Sequence, residues 1–211
     1  MDDPASLDRA VWAVIEDYEA RARREEQLSS TLSDEEMGRR LDEMLLPVGR
    51  ATGTLMNLLI REAEARRILE VGSSYGYSTT WLAEAARAVG GKVISLELKA
   101  AKTEYAQTQL ARAKLDGYVE FHIGDALASL ATLPGPFDFV LIDLWKDLYV
   151  PVFDLLYPKL APGAVIVADN MLHPPQARAH ARAYRERVRS ARDMTSVLLG
   201  VGNGLEVSRY Q

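Results

Sequence analysis

Up to Arg66 the apolar side chains recur every three or four positions, as in Leu7, Val11, Val14, Ile15 and Tyr18, the spacing that lines one face of a helix. The polar Ser29-Ser30-Thr31 interrupts this pattern. Ser33 followed by Glu36 then has the form of a capping box, so a second helix is expected there. A third is expected from near Pro47 through Leu55, Leu58, Leu59 and Ile60 toward Arg66. Beyond it the period changes. Short β-branched or apolar runs at 68–71, 93–96, 119–123, 137–142 and 164–168 alternate with helical patterns near 78–88, 101–115, 126–133 and 150–160. That alternation predicts a parallel sheet with helices on both faces. The unbroken apolarity of 139–142 and 164–167 suits central strands covered on both sides. Two last strand-like runs, 195–201 and 205–209, flank Gly202-Asn203-Gly204, residues suited to a tight turn, and predict an antiparallel hairpin closing the sheet. The expected fold class is therefore α/β: a doubly wound sheet of seven strands, mostly parallel, with a C-terminal antiparallel hairpin and extra N-terminal helices.

A length of 211 residues, at roughly 100 to 200 per domain, predicts one domain over 1–211, with 1–45 as a helical N-terminal extension. No apolar run approaches the roughly 18 residues of a membrane helix. The opening Met1 to Ser6 is acidic rather than a basic leader, which predicts an unexported protein without membrane contact. The absence of cysteine excludes disulfides, Cys-ligated zinc, Fe–S clusters and thiol nucleophiles, and fits a reducing, cytoplasmic setting. A net charge of -5 argues against a nucleic-acid surface. One segment stands against that balance: Arg178, Arg182, Arg185, Arg187, Arg189 and Arg192 are opposed within the run by Glu186 alone. It reads as a solvated amphipathic helix with Ala177, Ala181, Tyr184 and Val188 turned inward.

Ligands of open α/β sheets sit beyond the carboxyl ends of the strands, so the residues following each run are the candidates for chemistry. After the first strand comes Glu70-Val71-Gly72-Ser73-Ser74-Tyr75-Gly76-Tyr77-Ser78. Its glycines let a ligand lie against the backbone, and the free amides of the following helix favour a carboxylate or phosphate. The spacing is not the G-x-G-x-x-G of dinucleotide enzymes. Glu97, ending the next strand, is placed to accept from ribose hydroxyls, and together with the glycine turn it points to an adenosine ligand. Asp125-Ala126 follows the third strand, Asp143-Leu144-Trp145-Lys146 the fourth and Asp169-Asn170 the fifth. Neighbouring strands lie about 4.8 Å apart, so Asp143, Asp169 and Asn170 would converge. Such an all-oxygen set suits Mg²⁺, Mn²⁺ or Ca²⁺; the same residues also fit turn and loop caps. Lys146 beside a dication has its ammonium form disfavoured and becomes a candidate base, with a plain surface lysine as the other reading. Trp145 is a wall for a planar ring or a core residue. His173 either lines the mouth of the site or stands by, and His122 reads as a packed, hydrogen-bonded core residue.

These residues resemble the class I S-adenosylmethionine-dependent O-methyltransferases of the cation-dependent catechol and caffeoyl-CoA type, which are Rossmann-like. The resemblance runs from about 45 to 209. It is carried by Val48-Gly49, by 69–78 (LEVGSSYGYS), by 137–149 (FDFVLIDLWKDLY) and by 165–170 (VIVADN), with the hairpin at 202–207 in support. It implies that Glu70, Gly72 and Ser78 hold the methionine end of S-adenosylmethionine, with Val48 and the Tyr77 backbone closing over its carboxylate. Glu97 would bind the ribose, Asp125 and Ala126 would flank the adenine, and Asp143 would border the cofactor. Asp143, Asp169 and Asn170 match the ligands of a divalent cation, Mg²⁺ first, and Lys146 the family's base. Trp145, Lys146 and His173 would face a small aromatic, hydroxylated substrate. Leu144 stands where the animal catechol enzymes have histidine. A homodimer built through the N-terminal helices is a further implication of the resemblance. The rival readings are a metal-independent methyltransferase on another small molecule or on RNA, and a non-catalytic cofactor-binding protein.

Overall fold

The computed structural model describes residues 7–211, so the acidic opening stretch Met1 to Ser6 lies outside the described residues. Seven strands form one sheet in the order β3-β2-β1-β4-β5-β7-β6. They are β1 (Arg67–Val71), β2 (Lys92–Glu97), β3 (Val119–Ile123), β4 (Phe137–Ile142), β5 (Leu160–Ala168), β6 (Met194–Leu199) and β7 (Leu205–Tyr210). The first five run parallel. Strand β7 inserts antiparallel between β5 and β6, which completes the expected hairpin. The strand order reverses between β1 and β4, the position at which such sheets open a crevice for ligands.

Alternating side chains explain the unbroken apolar runs. Phe139 and Leu141 of β4 face the helices α1 (Arg9–Ser29), α3 (Arg50–Glu62), α4 (Tyr77–Val89) and α5 (Ala100–Arg112). Val140 and Ile142 face α6 (Ala126–Thr132), α7 (Tyr149–Leu156) and α8 (Arg178–Ser190). The N-terminal helices belong to the first face. Val11, Val14, Ile15 and Tyr18 of α1 are buried there, with Trp12 edge-on to Trp81 and Tyr18 edge-on to Tyr77. Helix α2 (Asp34–Arg40) begins at the expected capping box, Ser33 and Glu36 each satisfying the other's backbone amide. Among the described residues no helix is long and apolar enough to cross a membrane.

Several boundaries differ from the sequence reading. Helix α3 starts at Arg50 rather than near Pro47, because Gly49 precedes it with φ of 85°, outside helical space. Helix α7 ends at Leu156 in a 3₁₀ turn, and β5 begins at Leu160, four residues earlier than expected. The register shift between Phe137 and Phe139 absorbs these extra residues. His122 is not a core residue. It lies on β3, at the sheet edge, partly exposed, with Nε2 2.9 Å from Glu120 Oε1.

Helix α8 buries Ala181, Tyr184 and Val188 as expected, while Ala177 is its half-buried cap. Three of its arginines find counter-charges that spacing alone hides. Arg187 meets Asp154 at 2.7 Å, and Arg185 and Arg189 lie 3.2 and 2.8 Å from Glu206, a carboxylate buried on β7.

Candidate active site

The turn after β1 brings the two halves of the site together. Gly72 has φ of 94°, and a Cβ built on it would stand 2.1 Å from the Asp143 carbonyl oxygen, so glycine alone lets the ends of β1 and β4 approach this closely. Gly76, at φ of 92°, caps α4, whose first free amides belong to Tyr77 and Ser78. A small, partly open pocket lies here. Its lining includes Val48, Gly72, Ser74, Tyr77, Ser78 and Asp143, six of the positions that matter most to its chemistry.

Glu70 is wholly buried and does not line that pocket. Its Oε1 accepts from the Ser78 hydroxyl at 2.6 Å, and its Oε2 accepts from Thr79 and Ser95 at 2.7 Å each. Ser78, which does line the pocket, stands between this carboxylate and that space. Burial pushes this carboxyl up to about 7, against the three hydroxyl hydrogen bonds that favour its charge. Glu97 ends β2 with Oε2 accepting from the Ser74 amide at 2.8 Å and Oε1 from the Lys99 amide at 3.0 Å, which fixes its carboxylate at the rim of the glycine turn. Asp125 caps α6 by accepting from the Ala128 amide at 2.8 Å, with Ala126 the first residue of that helix. Leu98 and Ile123, next to these acids, are exposed large apolar side chains that the sequence reading passed over.

The N-terminal segment forms a strap above the glycine turn. The Tyr75 hydroxyl donates to the Glu43 carbonyl at 3.0 Å, and the Leu45 amide donates to Glu25 at 2.7 Å. Asp42 pairs with both Lys99 and Lys102. Tyr18 donates to the Tyr75 carbonyl at 2.6 Å, and Tyr77 to Glu19 at 3.1 Å, so α1 braces the turn from behind.

Across the crevice, β4 and β5 end in register, Ile142 beside Ala168, which sets Asp143 next to Asp169. Asp169 is 1% exposed. Its Oδ1 accepts from the Asn170 amide at 2.7 Å, whereas its buried Oδ2 has no partner. Asn170 adopts φ of 57°, a left-handed turn that asparagine tolerates, and its Oδ1 accepts from Lys146 Nζ at 2.8 Å. Lys146 Nζ also lies 3.6 Å from Asp143 Oδ1. Burial pushes Asp143 up, opposed by the Lys146 charge. Burial, reinforced by Asp143, takes Asp169 up to about 8, and burial lowers Lys146 against the pull of both acids. Among the described residues no three carboxylate or histidine side chains converge as a metal site, so any cation here relies on the Asn170 amide as its third protein oxygen. The unpartnered Asp169 oxygen is what such a set requires: a buried acceptor is costly unless something satisfies it. The residues fit a hard divalent cation.

Trp145 is 58% exposed, at the surface rather than in the core. Met171, Leu172 and His173 are held at the mouth by the hairpin turn: their amides donate to Gly204 O at 2.9 Å and to Asn203 O at 2.9 and 3.2 Å. A Cβ on Gly204 would stand 2.5 Å from the Leu172 side chain. Gly204 thus seats the loop carrying His173, a task beyond the tight turn read from sequence. The structure therefore gathers Val48, Gly72, Tyr77, Ser78 and Asp143 around one pocket, and Asp143, Lys146, Asp169 and Asn170 beside it. Tyr149 was missed as a site residue: its hydroxyl lies 2.6 Å from Lys146 Nζ.

The chain is similar to known proteins in sequence and in fold. Residues 69–171 match a family described as a methyltransferase domain. A catechol O-methyltransferase of Mycobacterium tuberculosis is 39% identical over 128 residues, 60% of this chain and 58% of that protein. Another, from Niastella koreensis, is 36% identical over 124 residues, 57% of this chain and 56% of its own length. The chain thus spans little more than half the length of these curated relatives. The match to solved structures is longer. An O-methyltransferase of Streptomyces achromogenes involved in tomaymycin synthesis, solved with SAM, is 30% identical with a TM-score of 0.75, covering 98% of this chain and 91% of that one. A Bacillus cereus O-methyltransferase solved with SAH is 26% identical with a TM-score of 0.76, over 99% and 93% of the two chains.

Proposed function

We propose, from the premise that this chain belongs to the S-adenosylmethionine-dependent O-methyltransferases, that it methylates one hydroxyl of a small molecule carrying two neighbouring aromatic hydroxyls, with the help of a divalent cation. The observation that carries this reading is the cluster of Asp143, Asp169, Asn170 and Lys146 at the ends of β4 and β5, with one buried carboxylate oxygen left unpartnered beside the glycine pocket.

In this reading Gly72 admits the methyl donor against the backbone, while the Tyr77 amide and the Ser78 hydroxyl take its carboxylate. Val48 and the strap behind it cover that end and keep water out. Glu97 accepts from the ribose hydroxyls, and Asp125 and Ala126 border the adenine. Asp143, Asp169 and Asn170 would hold the cation, Mg²⁺ first, which supplies Lewis acidity that makes an aromatic hydroxyl easier to deprotonate. Lys146, its ammonium disfavoured by burial, takes the proton of that hydroxyl. Trp145 offers a flat apolar wall to the ring, and His173 stands at the entrance. Holding the acceptor oxygen in line with the sulfonium methyl is then the main task left to the fold.

The test is methyl transfer from S-adenosylmethionine to catechol, caffeic acid and protocatechuic acid, with Mg²⁺ and with excess EDTA. Mono-methylated product that disappears with EDTA is the expected result. Transfer that persists in EDTA would overturn the role of the cation, and binding of the donor without transfer to any catechol would overturn the acceptor class.

A further inference from the structure

The turn between β6 and β7 is wedged between the two halves of the site. It closes on itself, the Gly204 amide donating to the Val201 carbonyl at 2.9 Å. On one flank, a Cβ built on Gly202 would stand 2.7 Å from Thr52 Oγ1 and 3.3 Å from the Val48 carbonyl oxygen. Thr52 is fully buried in α3 and β-branched, so its side chain has no room to swing aside. Val48, just before that helix, lines the pocket. On the other flank, a Cβ on Gly204 would stand 2.5 Å from Leu172 Cγ and 2.9 Å from its Cβ, an atom that moves only with the backbone. The Asn203 and Gly204 carbonyls hold the amides of Met171, Leu172 and His173 on that side.

The bends of a hairpin do not by themselves require both glycines. At Gly202 φ is 56°, a left-handed value that asparagine or aspartate also adopts, so it is the nearness of Thr52 and Val48 that excludes a side chain there. At Gly204, φ of 91° and the Leu172 contact act together. We propose that this turn is a shared buttress for the reaction: Gly202 is the positioning residue for Val48 over the methyl donor, and Gly204 the positioning residue for the mouth at Leu172 and His173 through which the acceptor enters. This rests on the donor pocket and acceptor mouth of the proposed function. Because the two contacts belong to one closed turn, the last hairpin of the sheet sets the separation of donor and acceptor from outside the reacting centre. Reacting atoms must meet at about 3–3.5 Å, and a misplacement of about 1 Å costs on the order of 10²-fold.

The experiment compares the full chain with G202A, G204A, T52A, G202A/T52A, L172G and G204A/L172G. Affinity for S-adenosylhomocysteine is read by calorimetric titration, KM for protocatechuic acid at saturating donor with Mg²⁺, and stability as a thermal midpoint. G202A should weaken S-adenosylhomocysteine binding about tenfold and leave the acceptor KM within about twofold, and G204A should do the reverse. A turn that serves stability alone would lower the thermal midpoint of both without this split. Thr52 Oγ1 has no hydrogen-bond partner to lose, so adding T52A should return the affinity of G202A to within about twofold of wild type. The thermal midpoint should stay lower, because the positive φ still strains an alanine. G204A should add less than about twofold in acceptor KM to L172G, since the clash is already gone. Equal losses of S-adenosylhomocysteine affinity in G202A and G204A, no loss in either, or a G202A defect that T52A leaves in place overturns the proposal. A wild-type chain that binds the donor yet methylates no catechol overturns the acceptor class instead, and the contrast in affinity between G202A and G204A then decides the buttress alone. If G202A does not fold, G202A/T52A is set against T52A, and failure of both G202A forms to fold overturns the positioning role.

Discussion

At the carboxyl ends of β1 and β2 both oxygens of Glu70 and of Glu97 have partners within the chain, whereas at the ends of β4 and β5 an oxygen of Asp169 has none and Asp143 meets only a distant ammonium. The first region is held by hydroxyls and amides and keeps its shape with nothing bound. The second stores a cost, since burial raises its acids and lowers its lysine, and that cost is relieved by whatever binds there. Shape resides on one side of the crevice, and the reactivity proposed above on the other.

The largest effect should come from breaking the strained side. D169N should lower cation-stimulated turnover on the order of 10³-fold, the scale of several kcal/mol of charge stabilisation. Its thermal midpoint without cation should hold or rise, since the unpartnered buried carboxylate is gone; a marked fall in that midpoint would show that the oxygen is satisfied in solution. Next in size is the junction between the two sides. G72A sets a Cβ against the Asp143 carbonyl at φ of 94°, and should cost about 1–3 kcal/mol of stability as well as donor affinity. Urea denaturation and calorimetric titration would read both, and an unchanged pair would mean that β1 and β4 need not approach so closely.

The smallest effect sharpens the comparison within the satisfied side. Glu70 titrates at about 7 in the folded chain against a usual 4.5, so the folded state binds more protons across that window. Its contribution is therefore most favourable below 4.5 and is lost as pH rises through 7. The slope is up to about 1.4 kcal/mol per pH unit. E70Q should flatten denaturation free energies measured at pH 5, 6 and 7, leaving the similar but higher-lying contribution of Asp169. Equal slopes in both proteins would mean that Ser78, Thr79 and Ser95 keep Glu70 charged throughout.

Periodicity made all seven strands legible, because alternation and burial are local properties of short runs. The strand-end rule likewise brought out Gly72, Glu97, Asp143 and Asp169. What stayed hidden depends on distant pairings. The strap that joins Asp42 to Lys99 and Lys102 spans about sixty residues of chain, and the buried Glu206 that answers Arg185 and Arg189 lies on a strand whose place in the sheet no run of residues announces. Tyr149 was hidden for another reason. An aromatic at the head of an apolar helix reads as core, which it is; its hydroxyl matters only because Lys146 sits three residues earlier. That D-x-x-K-x-x-Y spacing was the one signal available. His122 misled because an apolar strand says nothing of whether it lies inside a sheet or at its edge.

Strand β7, residues 205–210, is an inner strand that follows its neighbour β5 in the chain only after α8 and β6. During synthesis β5 can pair with β4 early, but its other edge stays open until this segment has left the ribosome, long after Asp169 and Asn170 have emerged. An open strand edge is a site of mispairing between chains. Chains that stall or are clipped before residue 205 should therefore accumulate as aggregates with an exposed β5 rather than as slow enzymes.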